Sequence, residues 1–493
     1  MSTTSSGGLA GKTARGVFWS YGSFAVSKAA VLLATAVLAR LLTPEEFGVV
    51  AVATVVVTFL AVVQGLGLGA ALIQRRGDIE RASNVVFTLN LLLGVLLTAI
   101  VFVIAPFVAD YFREPDATPL LRTLGLTFTL EAFGSVHLIR MQRDLRFDRV
   151  FIPDAGRSVL KGAVSVGLAL AGMGAWSLIM GQLAGVVASV LLSWLMFPWR
   201  PRLTIDAQLA RKLIGYGLPL FGVSVMWVLS VNLDYVIIGR RLGSEALGIY
   251  TLAYRLPELL VVSLMVGVNR VVFPAFSTLQ GSSEGLKRGF LATTHYMVLV
   301  TFPLSIGLAI VADPVVRVTL GSEWLDAIPV LRVLAIFVLI ASMMNADGDV
   351  YKAVGRPGIL FKLSLFHIAV LVPALLIGVQ HGLVGVALAH LTATSITRIV
   401  RTIAISRFMD IRISVIAAQW RTGALGSVAL AAMAGTAMFL TAGAPSVVQL
   451  TAAVLAGALG YFAVLAALEG RQISDLIRAT LSRSSTTTDE VDA

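Results

Sequence analysis

Asp154, Arg157 and Lys161 follow one another at intervals of three and four in PDAGRSVLKGAVSVGLALAG, residues 153 to 172. On a helix that spacing puts all three on one face. The surrounding residues are apolar enough to cross a membrane, where an ionised side chain costs at least ~3 kcal/mol and must face protein, water or a ligand. Similar groups recur. Lys28 lies near the middle of the first apolar run, Glu131 in the fourth, and Arg255 about ten residues into the eighth, followed by Glu258 on the same face. Asp154 and Asp234 lie nearer the ends of their runs. Closed ion pairing would join Asp154 to Arg157 and Glu258 to Arg255, which covers only part of the set. The deep bases Lys28, Arg157, Lys161 and Arg255 outnumber the deep acids Glu131 and Glu258. That excess predicts a positive, water-filled interior that attracts an anion. Trp227, Tyr254 and Tyr296 have rings suited to stacking on sugars, whereas Trp19, Tyr235 and Tyr250 read as interfacial anchors.

Those residues need elements to hold them. The chain has 493 residues, 57% hydrophobic and 13% charged, against roughly 25% charged in a soluble protein. Fourteen apolar runs, each near the ~20 residues a span needs, cover roughly 16–39, 47–72, 83–108, 118–138, 150–172, 174–197, 213–238, 246–271, 289–311, 327–349, 358–379, 382–405, 423–442 and 446–468. With the N-terminus inside, segments on that side hold 24 Lys and Arg, and the opposite loops hold five: Arg40, Arg113, Arg240, Arg241 and Arg317. Lys and Arg are retained on the cytoplasmic side. One miscounted span would invert every later loop, so the alternation predicts fourteen spans with both termini cytoplasmic. The opening MSTTSSGGLA lacks the apolar core and cleavage site of a signal peptide, so the first span is expected to serve as an uncleaved anchor. Arg122, Arg270, Arg332, Lys362 and Arg398 fall near span ends, where long stems carry charge to the interface.

Residues 39–53, ARLLTPEEFGVVAVA, align without gaps on 239–253, GRRLGSEALGIYTLA, with Arg40/Arg240, Glu45/Glu245 and Gly48/Gly248 in register. Six spans separate the copies, an even number, so both insert in the same orientation about an axis along the membrane normal. The expected fold is an all-α integral membrane protein of about fourteen transmembrane helices. Two six-helix lobes related by a pseudo-two-fold axis occupy 1–197 and 213–408, joined by a basic cytoplasmic linker at 198–212. Two further helices occupy 409–470, and a polar cytoplasmic tail occupies 471–493.

Other chemistry is excluded or weak. The net charge of +11 is scattered between apolar runs, without the clustered patch that nucleic acid needs. Zero cysteines remove disulfides, Cys-ligated metal and thiol catalysis. DGD at 347–349 has the spacing of a glycosyltransferase metal motif but no nucleotide-binding domain around it, and His390 reads as a satisfied interior histidine. No extramembrane segment exceeds about 25 residues, too few for an ATPase domain. Transport would therefore draw on ion gradients, membrane potential or the substrate's own gradient.

The opening GVFWSYGSFAVSKAAVLLATAVLARLLTPEEFGVVAVATVV, the loop MQRDLRFDR, the run NLDYVIIGRRLGSEALGIYTLAYRLPELL with VVFPAFSTLQ following, and YKAVGRPG together resemble the bacterial polysaccharide flippases. These belong to the multidrug/oligosaccharidyl-lipid/polysaccharide (MOP) exporter superfamily, and the resemblance is to its lipopolysaccharide, colanic acid and teichuronic acid branch. It covers about residues 14–410. The resemblance implies a carrier in the bacterial cytoplasmic membrane, not an enzyme, that moves an undecaprenyl-diphosphate-linked oligosaccharide to the outer leaflet. Membrane lipids and polysaccharide assembly proteins would be its other partners. Related peptidoglycan-precursor flippases use a cationic central cavity. Depth places Lys28, Arg157, Lys161 and Arg255 in that role for the diphosphate, with Asp154 orienting Arg157. Related drug exporters couple to H+ or Na+ through acids, for which Glu131, Asp234 and Glu258 are candidates; no other cofactor and no metal is expected. A cation-coupled drug or metabolite exporter of the same superfamily would favour an acidic interior. A membrane glycan polymerase or ligase would need a large outside loop, whereas the longest here, near 110–117 and 312–326, are short. A non-transporting scaffold leaves the deep charges without a use.

Overall fold

The computed structural model describes residue 28 and residues 30 to 489 apart from 76, 280, 344 and 345. The N-terminal residues expected to begin span 1, Trp19 among them, and residues 490 to 493 lie outside the described residues. Among the described residues every regular element is a helix. The elements of the first half are α1 (Ala30–Leu41), α2 (Pro44–Gly65), α3 (Leu68–Gln74), α4 (Ile79–Phe112), α5 (Ala117–Arg143), α6 (Phe147–Leu170), α7 (Ala175–Met196), α8 (Ala207–Leu242) and α9 (Ser244–Pro257). A π-helical turn, Glu258–Val262, leads into α10 (Ser263–Thr278). Then come α11 (Ser283–Ile310), α12 (Ala312–Thr319), α13 (Ala327–Ser342), α14 (Asp347–Ala353), α15 (Pro357–Gly378), α16 (Gly382–Met409), α17 (Ile413–Ala418), α18 (Arg421–Leu440) and α19 (Ser446–Asp489).

Nine described stretches are long and apolar enough to cross a membrane, and one of them, Gly358–Met409, holds two helices. Helices α5 and α6, of 27 and 24 residues, are long enough but more polar; they carry Glu131 and the Asp154–Lys161 stripe, so polarity there is concentrated on the candidate site. With α8, 36 residues long and uncharged from Leu213 to Asn232, and the partly described α1, they complete fourteen spans.

Several spans depart from single helices. Span 2 breaks at Leu66 and Gly67, which both take positive φ (33° and 67°), and the alternating glycines of GLGLG at 65–69 permit it. Span 8 is interrupted after Pro257, whose ring cannot sit in an uninterrupted helical ladder, and the π turn absorbs the mismatch. The polar tail expected after 470 continues α19 as helix to Asp489.

The chain forms two compact units. The first holds the described residues up to Leu252 with Thr319–Asp326 and Ser364–Ala389. One of its cores gathers Leu72, Val86, Phe87, Trp199, Leu209 and Leu213. The segment 198–212 is strapped down: Arg202 N–H donates to Asn84 Oδ1 (2.8 Å), Thr204 N–H donates to Thr88 Oγ1 (2.9 Å), and the Trp199 carbonyl lies 3.0 Å from His137 Nε2. Asp206 caps α8 by accepting from Leu209 N–H (3.0 Å) and pairs with Arg81 (2.6 Å). The Leu209 amide, with the Arg81 guanidinium, holds this half-buried carboxyl below its ordinary pKa.

The repeat has a physical counterpart within this unit. The turn from α1 to α2 and the turn from α8 to α9 lie side by side. A Cβ added at Gly48 would collide with the Ser244 carbonyl oxygen, and one added at Gly248 with that of Pro44. Exchange of the two repeat copies converts one contact into the other, as a two-fold axis between them requires. The α2 terminus is built for this place by a capping box. Thr43 Oγ1 accepts from Glu46 N–H (3.3 Å), and Glu46 Oε2 accepts from Thr43 N–H (2.8 Å). Trp324, fully buried, donates from Nε1 to the Ala39 carbonyl (2.7 Å) and meets the Phe47 ring edge-on at 5.3 Å. Thr43→Ala is expected to cost about 1 kcal/mol, seen as a lower thermal unfolding midpoint in detergent; an unchanged midpoint would show the cap to be idle.

The second unit holds Ala253–Val318, Ala327–Leu363 and the chain from His390. Its core gathers Phe276, Phe290, Val350, Tyr351, Ile405 and Ile416. Asp347, with its carboxylate fully enclosed, takes a bidentate pair from Arg401 at 2.6 Å on each arm. This is the strong form of a buried charge pair. Asp349 pairs with Lys352 at 3.2 Å, so both carboxylates of the DGD motif engage basic side chains. Arg401 lies within α16, which runs on to Met409. One expectation is corrected here. Arg398, expected to reach the interface, donates instead to the Ala341 carbonyl at 2.5 Å, satisfying a helix-end oxygen.

Candidate functional site

The α6 stripe is positioned by backbone. Helix α7 carries Gly181 and Gly185, a G-x-x-x-G spacing of the kind that lets apolar helices approach closely. A Cβ at Gly181 would stand 2.8 Å from the Lys161 carbonyl, and one at Gly185 would stand 2.8 Å from that of Arg157 and 3.0 Å from Lys161 Cβ. The two glycines thus seat the two turns that bear the charges. On α6 the next residue, Gly162, would place a Cβ 3.2 Å from Ala34 Cβ of α1, and Lys28 lies six residues before Ala34. Close helix approach is therefore built on both sides of the stripe.

Arg157 finds its partner on another helix. Its Nη2 lies 2.6 Å from Glu131 Oε1 of α5, in place of the pairing with Asp154 that the i, i+3 spacing suggested. The two side chains are 37% and 35% exposed, so neither is enclosed by protein. Lys161 and Lys28 are half-buried and Asp154 is exposed; each of the three has a polar contact of its own. The first unit therefore holds Glu131 on α5, Asp154, Arg157 and Lys161 on α6, and Lys28 just before α1.

The remaining candidates are placed differently. Asp234 is 3% exposed and accepts from Tyr250 Oη (2.7 Å) and Tyr235 N–H (3.0 Å), which ties α8 to α9. Trp227 is exposed on α8. In the second unit Arg255 Nη1 lies 2.9 Å from Glu258 Oε2. This pairing, expected from the sequence, falls where α9 gives way to the π turn, and such turns collect at functional sites. Tyr254 lies 6.3 Å from the Phe337 ring, which in turn carries His390 at 4.4 Å. Tyr296 is exposed on α11. Sequence reading missed Gly181 and Gly185, although G-x-x-x-G in an apolar run was there to be found. It also missed the reciprocal role of Gly48 and Gly248, although both stood in the aligned repeat.

Comparison with known proteins follows this geometry. Over 313 residues the chain is 31% identical to the teichuronic acid biosynthesis protein TuaB of Bacillus subtilis, a match covering 62% of this chain and 63% of that protein, just under two thirds of its length. Over 397 residues it is 28% identical to the lipopolysaccharide biosynthesis protein WzxC of Escherichia coli, covering 79% of this chain and 80% of the other. Among solved structures, the lipid II flippase MurJ in an inward closed conformation superimposes with a TM-score of 0.73 at 14% identity, covering 93% of this chain and all of that one. An inward-facing multidrug resistance transporter of the MOP superfamily gives 0.64 at 19% identity, over 79% of this chain and 95% of that one. The shared fold is all-α, with twelve to fourteen membrane helices in two lobes. Residues 37–329, more than half of the chain, match the family described as "Polysaccharide biosynthesis protein", and the chain belongs to that family.

Proposed function

We propose that this protein is a flippase that carries an undecaprenyl-diphosphate-linked oligosaccharide from the cytoplasmic to the outer leaflet by alternating access, for cell-surface polysaccharide synthesis. The reading rests above all on the partly exposed Arg157–Glu131 pair beside Lys161. Guanidinium and ammonium groups held at membrane depth by backbone contacts suit a diphosphate, and a half-buried carboxylate is a partner that phosphate oxygens can replace. Lys28 and Arg255 would complete the cationic set. Trp227, Tyr254 and Tyr296 would meet the sugars, and Glu131, Asp154, Asp234 and Glu258 would orient the bases or couple H+ or Na+. The lobes are taken as 1–197 and 213–408, with both termini cytoplasmic in the inner membrane and polysaccharide assembly proteins as neighbours.

The direction is consistent with the electrical driving force. One charge crossing 100 mV is worth ~2.3 kcal/mol, so a diphosphate of about two negative charges leaving an inside-negative cell gains roughly 5 kcal/mol. Ion coupling then adds to a gradient that already points outward. The test is reconstitution of the purified chain into liposomes with a fluorescent undecaprenyl-diphosphate oligosaccharide, scored by glycosidase access from one side with and without a potential. Protein-dependent exchange, faster with the potential, is expected. No exchange in either condition, together with proton-driven export of a cationic dye, would replace this reading with the drug-exporter one.

A further inference from the structure

A separate pocket of about 430 Å³ opens in the second unit where α11, α18 and α19 meet. Arg288 and Arg421 line it, both exposed, and among the described residues neither guanidinium is paired with a carboxylate. Three of its other polar groups, on His295, Gln419 and Glu469, engage one another. His295 Nδ1 donates to the Gln419 carbonyl (3.2 Å), so that nitrogen carries a proton, and Nε2 faces Glu469 Oε1 at 2.9 Å. Glu469 is nearly enclosed and faces His295, so the exposed charges that line the pocket are the two guanidiniums.

The depth of the pocket narrows the ligand. Arg288 stands just before span 9, Arg421 just before span 13, and Glu469 just after span 14. All three span ends meet on the side that the Lys and Arg bias assigns to the cytoplasm. This is the level at which lipid phosphates lie, and basic pockets between helices on that side hold anionic head groups. Leu291 and Leu468 add apolar lining against which an acyl chain can rest. We infer that this pocket is a binding site for an anionic phospholipid of the inner leaflet, its phosphate clasped by Arg288 and Arg421. None of the cationic residues assigned to the transported diphosphate takes part; Tyr296, proposed above to meet the sugars, also lines this pocket, but neither experiment substitutes it, so the two readings are tested separately.

The experiment is native mass spectrometry of the full, delipidated chain titrated with phosphatidylglycerol, phosphatidylethanolamine or inorganic phosphate, for wild type, Arg288→Gln/Arg421→Gln and Arg421→Gln alone. One phosphatidylglycerol is expected to be retained by wild type in preference to phosphatidylethanolamine, with retention falling at least about tenfold in the double variant and less in the single one. Inorganic phosphate should not displace it. Equal retention by wild type and variants, or no preference between the two lipids in wild type, would overturn the assignment. Displacement by millimolar phosphate would also overturn it, naming a soluble anion as the occupant. The lipid preference of wild type decides the matter even if a variant fails to fold.

Discussion

Arg157→Gln is expected to lower flipping by about two orders of magnitude while leaving the bundle folded. Two magnitudes separate those outcomes. A hydrogen bond to a charged group contributes about 1.5–3 kcal/mol, or roughly 10- to 150-fold in rate if it forms as the diphosphate crosses. Loss of the Glu131 pair costs the fold far less, because both side chains are more than one third exposed and exposed ion pairs contribute about 0–1 kcal/mol. Flux is measured by glycosidase access in proteoliposomes, and folding by thermal unfolding of the same preparation. Glu131→Gln is the informative companion. It removes the competitor for Arg157, so head-group affinity should rise and turnover should fall as release slows. Unchanged flux in Arg157→Gln would make the α6 stripe a structural ion-pair site.

Gly48→Ala combined with Gly248→Ala should part the two repeat turns and shift the protein toward the state in which that side is open. The added methyl groups meet the carbonyl oxygens of Ser244 and Pro44, which no change of rotamer can move aside. Overpacking of this kind costs typically ~1–3 kcal/mol at each site. For a carrier balanced between two states, 1–3 kcal/mol is a population change of roughly 5- to 150-fold. The chain has no cysteine, so Leu247→Cys supplies a single thiol, at a position fully buried beside Gly248. Its labelling by a membrane-impermeant maleimide should accelerate by one to two orders of magnitude in the alanine background. An unaltered rate would show that the contact does not separate during the cycle.

How much was legible from sequence follows from the range of each force. Span number and order rest on hydropathy and on the sidedness of Lys and Arg, which act residue by residue, and the repeat rests on identities at a fixed offset. Both could be read without coordinates. The partner of Arg157 could not, because Asp154 and Glu131 are both chemically suitable and only the packing of α5 on α6 selects between them. Likewise Arg398 and Arg401 are ordinary span-end arginines in sequence, and the neighbouring positions of Ala341 and Asp347 make them interior. The break at Leu66 and the π turn after Pro257 had local signals in glycine and proline, but a hydropathy window smooths over both.

The glycine seat of α7 bears on how charge moves. With the α6 backbone and its Ser165 and Lys161 side chains set directly against Gly181 and Gly185, α6 has little room to roll against α7, so Arg157 and Lys161 keep their depth relative to it. Voltage sensors displace their arginines through the field and show a gating current without any ligand. Here the arginine and lysine would act as stationary electrodes, and the current of each cycle would count the charge of the cargo and any coupled ion, with little contribution from the protein.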